Sequence, residues 1–367
     1  MHPFRFHLPT RIVFGSGRLA ELSAILPPGD GPALIVTDRN VARRTAAVST
    51  AASSLSGRGT EIFSDVPENP DFECVERGAE TARRLGARLV IGIGGGSPMD
   101  AAKGIALLGA NGTGLGRFLE GAPPENAPLP LVCIPTTAGT GSEVTPYAVF
   151  TDMENQAKIG YSHPGLFPAA ALVDPELTYS MPVEIAVNTG LDVLSHALES
   201  YLSTDAFEMN DVLALHVLDT VLVNLEAAAA KEKEAMDRMA YAAMLAGVAI
   251  TQSGTILLHI MGYCLTTFHD VPHGRATAAL LPAVLDFLRD HSPVQGKIGV
   301  LDGLFAPYGG PRSFVEAQGV PTRIASYGVR EDELEMYARK VIIKGDVRIT
   351  PAPVTVRDIE DIYRAAL

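Results

Sequence analysis

Four short apolar runs, most of them closed by Gly or Thr, constrain the first half of this chain more than any other feature. Thr10-Arg-Ile-Val-Phe14 ends at Gly15-Ser-Gly17, and Pro32-Ala-Leu-Ile-Val-Thr37 ends at Asp38. Arg88-Leu-Val-Ile-Gly-Ile93 runs into Gly94-Gly-Gly-Ser97, and Leu129-Pro-Leu-Val-Cys-Ile134 into Pro135-Thr-Thr137. Runs that are apolar on consecutive residues are buried on both faces, and with helical stretches such as 18–26 between them they predict a parallel sheet covered by helices. Ligands of such a sheet are expected at the carboxyl ends of its strands. From about residue 181 the period changes: 183–202, 210–229, 231–250 and 273–288 repeat apolar residues every three or four positions, as helices with one buried face do. The alanine-rich stretch 225–239 adds strong helix formers. Met181-Pro182 is the expected seam, because proline suits the first turn of a new helix. Two domains agree with 367 residues at roughly 150 per domain. The Gly- and Pro-rich stretches 121–130 and 303–312 are predicted to be surface loops.

The turn after the third run has the composition of a phosphate cradle. Its glycines let the backbone approach a ligand and adopt positive φ. Ser97 is placed to cap the following helix, with Pro98 in its first position. Amides left unpaired at a helix start, with the positive end of its dipole, attract a pyrophosphate. A tight strand-to-helix turn without any ligand is the competing reading, since the motif is neither GxGxxG nor a GKS/T loop. Pro135-Thr-Thr-Ala-Gly-Thr-Gly-Ser142 follows another buried strand and offers four hydroxyls for a ribose or phosphate. Asp38, at a further strand end, suits a ribose hydroxyl and would repel a 2′-phosphate, which favours NAD over NADP. It reads equally well as a helix cap.

The helical half carries four residues of metal-ligand type. Asp192 and His196 are four apart, so on a helix they share one face and can grip one ion. His259 interrupts the apolar stretch Ile256-Leu-Leu-His-Ile-Met261, and His273 lies in Val271-Pro-His-Gly-Arg275, where proline and glycine mark a helix start. One carboxylate and three imidazoles without thiolate suit Fe(II) or Zn(II). Any one of these histidines alone reads as a core or solvated residue; the argument lies in their occurring together. The fold class expected is therefore α/β plus all-α, with an N-terminal Rossmann-like parallel-sheet domain (1–180) followed by a C-terminal helical-bundle metal domain (181–367).

Composition narrows the function. With 29 basic and 42 acidic side chains the formal charge is −13, which opposes binding along a phosphate backbone. An apolar fraction of 47% against 19% charged fits a chain with large cores rather than a disordered one. The continuous apolar runs fall short of the roughly 20 residues that cross a bilayer, so no membrane partner is expected. The opening Met1-His-Pro-Phe-Arg-Phe-His7 has no secretory pattern, and Cys74, Cys133 and Cys264 lack CxxC spacing, as in reduced cytoplasmic proteins.

Taken in order, Gly94-Gly-Gly-Ser97, Pro135-Thr-Thr-Ala-Gly-Thr-Gly-Ser-Glu143, the Asp192/His196 pair and Val271-Pro-His-Gly274 resemble the iron-containing (group III) alcohol dehydrogenases. Pro9-Thr-Arg-Ile-Val-Phe-Gly15, Val173-Asp-Pro-Glu-Leu177 and Asp358-Ile-Glu-Asp-Ile-Tyr363 extend the resemblance over nearly the whole chain. It implies an NAD(P)-binding domain, a helical metal domain, a cleft between them and a homodimer. The metal ligands it implies are Asp192, His196, His259 and His273, with Asp192, His259 and His273 carrying catalysis. The cofactor contacts it implies are Gly95, Gly96, Ser97 and Pro98, then Thr136, Thr137 and Thr140, with Asp38 near the ribose. Many members have a second histidine four residues after the third ligand; here that position is Tyr263, which leaves His269 as a substitute proton relay. The expected reaction is reversible hydride transfer between a small alcohol and the nicotinamide, the metal polarising the alcohol or carbonyl oxygen.

Related readings are a glycerol dehydrogenase or a dehydroquinate synthase, against which the Pro-Thr-Thr and Pro-His-Gly turns speak. A metal-dependent hydrolase would leave both strand-end loops without a purpose. A non-catalytic nucleotide-binding protein would keep the same loops and form no NADH.

Overall fold

The computed structural model describes residues 3–112 and 114–367; Met1, His2 and Thr113 lie outside the described residues. The chain divides into two compact units, Leu8–Pro182 and Val183–Leu367, the second also taking in the segment up to His7. His7 and Gln252 exchange two hydrogen bonds of 3.1 and 3.0 Å. Phe4 stacks on Phe207 with ring centroids 4.4 Å apart.

The first unit contains strands β1 (Arg11–Phe14), β2 (Ala33–Val36), β3 (Thr60–Phe63), β4 (Leu89–Gly94), β5 (Leu131–Pro135), β6 (Tyr147–Asp152), β7 (Ala157–Ser162) and β8 (Ala170–Val173). Six of them form one parallel sheet in the order β1-β8-β5-β4-β2-β3. The pleat sends alternate residues to opposite faces. Leu34, Val36, Val90 and Cys133 enter one core cluster, while Ala33, Ile35, Ile91, Val132 and Ile134 enter the other. Both clusters are closed by helices, α1 (Leu22–Ile25), α2 (Arg39–Arg44), α3 (Ala47–Ser54), α4 (Phe72–Leu85), α5 (Gly96–Asn111) and α6 (Leu115–Leu119). This double covering is why the strands read as unbroken apolar runs.

Four strands carry weaker sequence signals. β3 is an edge strand whose Thr60-Glu-Ile-Phe63 is only partly buried. β8 is a four-residue run between β1 and β5. β6 and β7 form a separate antiparallel hairpin.

The second unit is helical: α7 (Val183–Leu202), α8 (Glu208–Ala229), α9 (Lys233–Ser253), α10 (Leu257–His269), α11 (His273–His291), α12 (Gln295–Phe305), α13 (Pro311–Ala317), α14 (Leu334–Ile342) and α15 (Val356–Ala366). Pro182 immediately precedes α7 rather than standing in its first turn. The stretch 303–312, expected as a loop, is instead the end of α12, a 3-10 turn at Ala306–Tyr308 and the start of α13. Pro307 and Pro311 stand in first-turn positions, where the missing N–H breaks no helical hydrogen bond.

Among the described residues α8 alone is long and apolar enough to cross a bilayer as a single helix. It packs against α7 and α9. Its Ala214, Val217, Leu218, Val221, Leu222 and Leu225 are buried in the bundle, so its apolar face is that of a core helix.

Candidate functional site

Helix α7 buries polar side chains at three- and four-residue spacing: Asn188, Asp192, Ser195, His196 and Glu199. Such a stripe persists inside a core only where each group finds partners. Helix α11 meets the stripe at its first turn. A Cβ on Gly274 would lie 1.9 Å from the Asn188 carbonyl oxygen, so only glycine permits the crossing that brings His273 against α7. The first turn of α10 delivers His259 to the same place.

The four expected ligands converge. Ligand atoms of Asp192, His196 and His259 all lie within 4.8 Å of one another. Asp192 Oδ1 is 3.9 Å from His259 Nε2 and 3.8 Å from His273 Nε2, and Asp192 Oδ2 is 4.0 Å from His196 Nδ1. His259 Nε2 and His273 Nε2 are 2.8 Å apart. Buried Asp192 Oδ1 has no hydrogen-bond partner among the described residues. A buried carboxylate oxygen left without a donor, facing two imidazole nitrogens, needs a cation to compensate it. An N/O donor set of this kind therefore fits Fe(II) or Zn(II).

Behind His259 stands Glu199, fully buried, its Oε2 2.8 Å from His259 Nδ1. Burial lowers the His259 pKa, but the Glu199 carboxylate, by charge and hydrogen bond, more than offsets this, and the group lies above the ordinary histidine value. Sequence reasoning missed Glu199. Its signal was the i, i+4, i+7 spacing of Asp192, His196 and Glu199 along one helix face.

Tyr263, one turn after His259, lies beside the site with its ring centroid 5.1 Å from that of His273 and 6.2 Å from that of His259. His269 is not brought to this cluster. Its Nε2 is 2.7 Å from the Tyr337 hydroxyl and 3.5 Å from Glu333 Oε2, so the side chain is engaged with residues from the far end of the chain and is no substitute relay.

In the first unit, β4 runs directly into the turn of Gly94, Gly95 and Gly96. Helix α5 starts at Gly96 with Gly95 as its N-cap, and no side chain caps it. Ser97 is thus not the cap that was expected: its hydroxyl accepts from the Asn69 N–H (3.1 Å), and Pro98 falls two positions into the helix. Uncapped amides at this start suit an anion better than a serine-capped helix would.

The second loop packs on the first. A Cβ on Gly95 would come within 3.2 Å of Thr137 Oγ1, and one on Gly96 within 2.7 Å of Thr140 Cγ2. The Thr136 N–H donates to the Gly94 carbonyl (2.9 Å). Asp38 does cap α2, its Oδ1 accepting from the Asn40 and Val41 N–H groups at 2.7 and 3.0 Å. A Cβ on Gly94 would lie 3.4 Å from Asp38 Oδ2, so the other carboxylate oxygen still faces the glycine turn.

Not every hydroxyl of the second loop is available to a ligand. Ser142 donates to Asp100 Oδ1 (2.6 Å) and accepts from Lys103 Nζ (2.7 Å), which also donates to Thr145 Oγ1 (3.2 Å). Burial pushes the Asp100 carboxyl up and the Lys103 ammonium down, each opposed by the other's charge. Glu143 is buried beside them, and desolvation raises its carboxyl to about 7. Lys158 reaches Asn69 Oδ1 (2.7 Å), which places an ammonium one residue contact from Ser97. Sequence reasoning missed Asp100 and Lys103, whose signal was their i, i+3 spacing on one helix, and Lys158, which had no local signal.

Comparison with known proteins covers both units. Residues 9–175 match the family of iron-containing alcohol dehydrogenases, and residues 186–367 match the C-terminal domain of the Fe-containing alcohol dehydrogenase family. The chain is 31% identical to a lactaldehyde reductase of Escherichia coli, over 96% of this chain and 97% of that one. An iron-containing alcohol dehydrogenase from Thermotoga maritima superposes with a TM-score of 0.90 at 34% identity, covering 100% of this chain and 99% of that one. A sulfoacetaldehyde reductase from Bifidobacterium kashiwanohense, solved in complex with NAD+, gives 0.87 at 28% identity, covering 100% and 99%. The chain belongs to the iron-containing alcohol dehydrogenases, oxidoreductases that act on CH–OH groups.

Proposed function

We propose that this chain is a metal-dependent, NAD-linked alcohol dehydrogenase acting reversibly on small alcohols and the corresponding aldehydes or ketones. The observation that carries the reading is the convergence of Asp192, His196 and His259 within 4.8 Å of one another, with His273 against them. When bound, the divalent ion supplies Lewis acidity to the alcohol oxygen and the nicotinamide accepts the hydride.

The chain's own residues do the rest. Asp192, His196, His259 and His273 hold the ion, and the Asp192 carboxylate offsets its charge. Burial of Asp192, His196 and His259, each about 5% exposed or less, excludes water and strengthens every charge interaction in the site. The uncapped start of α5, with Gly95, Gly96, Ser97 and Pro98, receives the pyrophosphate. Thr136, Thr137 and Thr140 line the neighbouring loop. Asp38 binds a ribose hydroxyl through the oxygen not used for capping and disfavours a 2′-phosphate, which supports NAD over NADP. A cytoplasmic location and the homodimer implied by the family resemblance are part of the same proposal; three buried free thiols suit a reducing compartment, and sedimentation of the purified chain checks the dimer.

The test is NADH formation by purified protein with NAD, Fe(II) or Zn(II) and a panel of short alcohols. NADH is expected to form, to stop on chelation and to return when the ion is restored. Turnover that survives complete chelation, or cleavage of phosphoesters or amides without NAD, would refute the reading.

A further inference from the structure

The buried stripe of α7 continues past the ligands to Glu199, and every acceptor of this carboxylate is used on one neighbour. Glu199 Oε1 accepts from the backbone N–H of Ile256 (2.9 Å) and of His259 (3.0 Å), and Oε2 lies 2.8 Å from His259 Nδ1. Ile256 is the N-cap residue of α10 and has no side-chain cap of its own. Glu199 supplies from α7 what a local capping residue would supply. Burial raises its carboxyl, and the charge and hydrogen bond of His259 together with the two backbone donors work against that shift.

His259 Nδ1 and Glu199 Oε2 share one hydrogen bond of 2.8 Å, and with the carboxylate oxygen as acceptor the proton sits on Nδ1. A ring protonated at Nδ1 alone keeps its lone pair on Nε2, the atom that faces Asp192 and His273. We propose that Glu199 is the positioning residue of this centre, fixing His259 as its Nδ1–H tautomer and tying the ligand's orientation to the start of α10. The proposal rests on reading the four residues as a metal site. Carboxylate partners of metal-bound histidines act in this way generally.

Glu199→Gln separates this role from simple capping. The amide carbonyl still accepts from Ile256 and His259, but the NH2 group now donates toward Nδ1, which drives the ring proton to Nε2 and blocks the ligand atom. Zn(II) affinity measured by chelator competition is expected to fall about 10- to 100-fold, with thermal unfolding of the metal-free protein little changed. Nitrogen NMR of His259 in the metal-free parent, recorded at a pH alkaline enough to neutralise the ring, is expected to show protonated Nδ1 and unprotonated Nε2, and the reverse in Glu199→Gln.

A variant that binds Zn(II) within twofold of the parent overturns the role of Glu199, as does a parent protonated at Nε2. The NMR measurement on the parent decides the matter even if the variant does not fold. A parent that shows the Nδ1–H tautomer yet binds no Zn(II) refutes the metal-centre reading instead.

Discussion

Gly274→Ala tests whether the fold of the helical unit and the chemistry of its site depend on a single contact. The added Cβ would stand 1.9 Å from the Asn188 carbonyl oxygen and 2.9 Å from the Asp192 Cβ, where ordinary contact begins at 3.4 Å. The difference, 3.4 − 1.9 = 1.5 Å, is the distance by which the first turn of α11 must move from α7. Both obstructing atoms belong to a buried helix rather than to a flexible side-chain end. Overpacking of this kind costs about 1–3 kcal/mol. His273 is the preceding residue, so its Nε2, now 3.8 Å from Asp192 Oδ1, moves with the turn. Metal–ligand distances tolerate only about 0.2 Å, and a misplacement near 1 Å lowers turnover on the order of 100-fold. The variant is expected to lose stability to urea, to weaken in Zn(II) competition and to lose NAD-dependent alcohol oxidation together. Gly299→Ala, on α12 with nothing within 4 Å of the new methyl, serves as the control and gains about 0.5–1 kcal/mol. A Gly274→Ala protein with the parent's stability and Zn(II) affinity would refute the claim that this crossing holds His273 in place.

Asp192→Asn removes the anion from the proposed four-ligand set, so stoichiometric Zn(II) binding and NADH formation should both fall to background while the helical circular dichroism signal is kept. Asp38→Asn keeps a good capping side chain for α2 but loses the charge facing the glycine turn; the ratio of kcat/KM for NADP to that for NAD should rise about tenfold, for a gain of about 1.4 kcal/mol, with unfolding midpoint unchanged. Glu143 predicts a pH-dependent stability. Burial raises its carboxyl from 4.5 to about 7, so the folded chain binds the proton more tightly than the unfolded one, and the benefit present below pH 4.5 is lost as pH rises through 7. At about 1.36 kcal/mol per pH unit the difference reaches about 3 kcal/mol by pH 8. Glu143→Gln should therefore match the parent near pH 4.5 and exceed it by that amount at pH 8 in urea unfolding. A pH-independent offset between the two proteins would dismiss the argument.

What the sequence disclosed follows from where its physics is local. β2, β4 and β5 were legible because burial on both faces leaves consecutive apolar residues, and α7, α8, α9 and α11 because one buried face leaves a period. β3 was not, because an edge strand needs apolar residues on fewer sides and Thr60-Glu61 interrupts the pattern. Ser97 looked like a cap from its place after three glycines. Its hydroxyl is instead drawn off by the Asn69 N–H, a partner 28 residues away that no local pattern reveals. The proposed metal ligands stand out as residue types, but their convergence depends on three helices meeting, and the residue that permits the meeting is a glycine with no chemistry of its own.

Glu199 shows the same limit at closer range. It stands one turn beyond His196, where an isolated helix would offer it to water. Inside this bundle its two oxygens meet three donors from α10, two of them backbone. A carboxylate in that position cannot be exchanged for an apolar residue without leaving the first turn of α10 uncapped, nor for an amide without offering His259 a donor. Capping and the proposed orientation of His259 thus fall on one side chain for a physical reason: His259 lies in the first turn of its helix, where the unpaired amides and the imidazole face the same way.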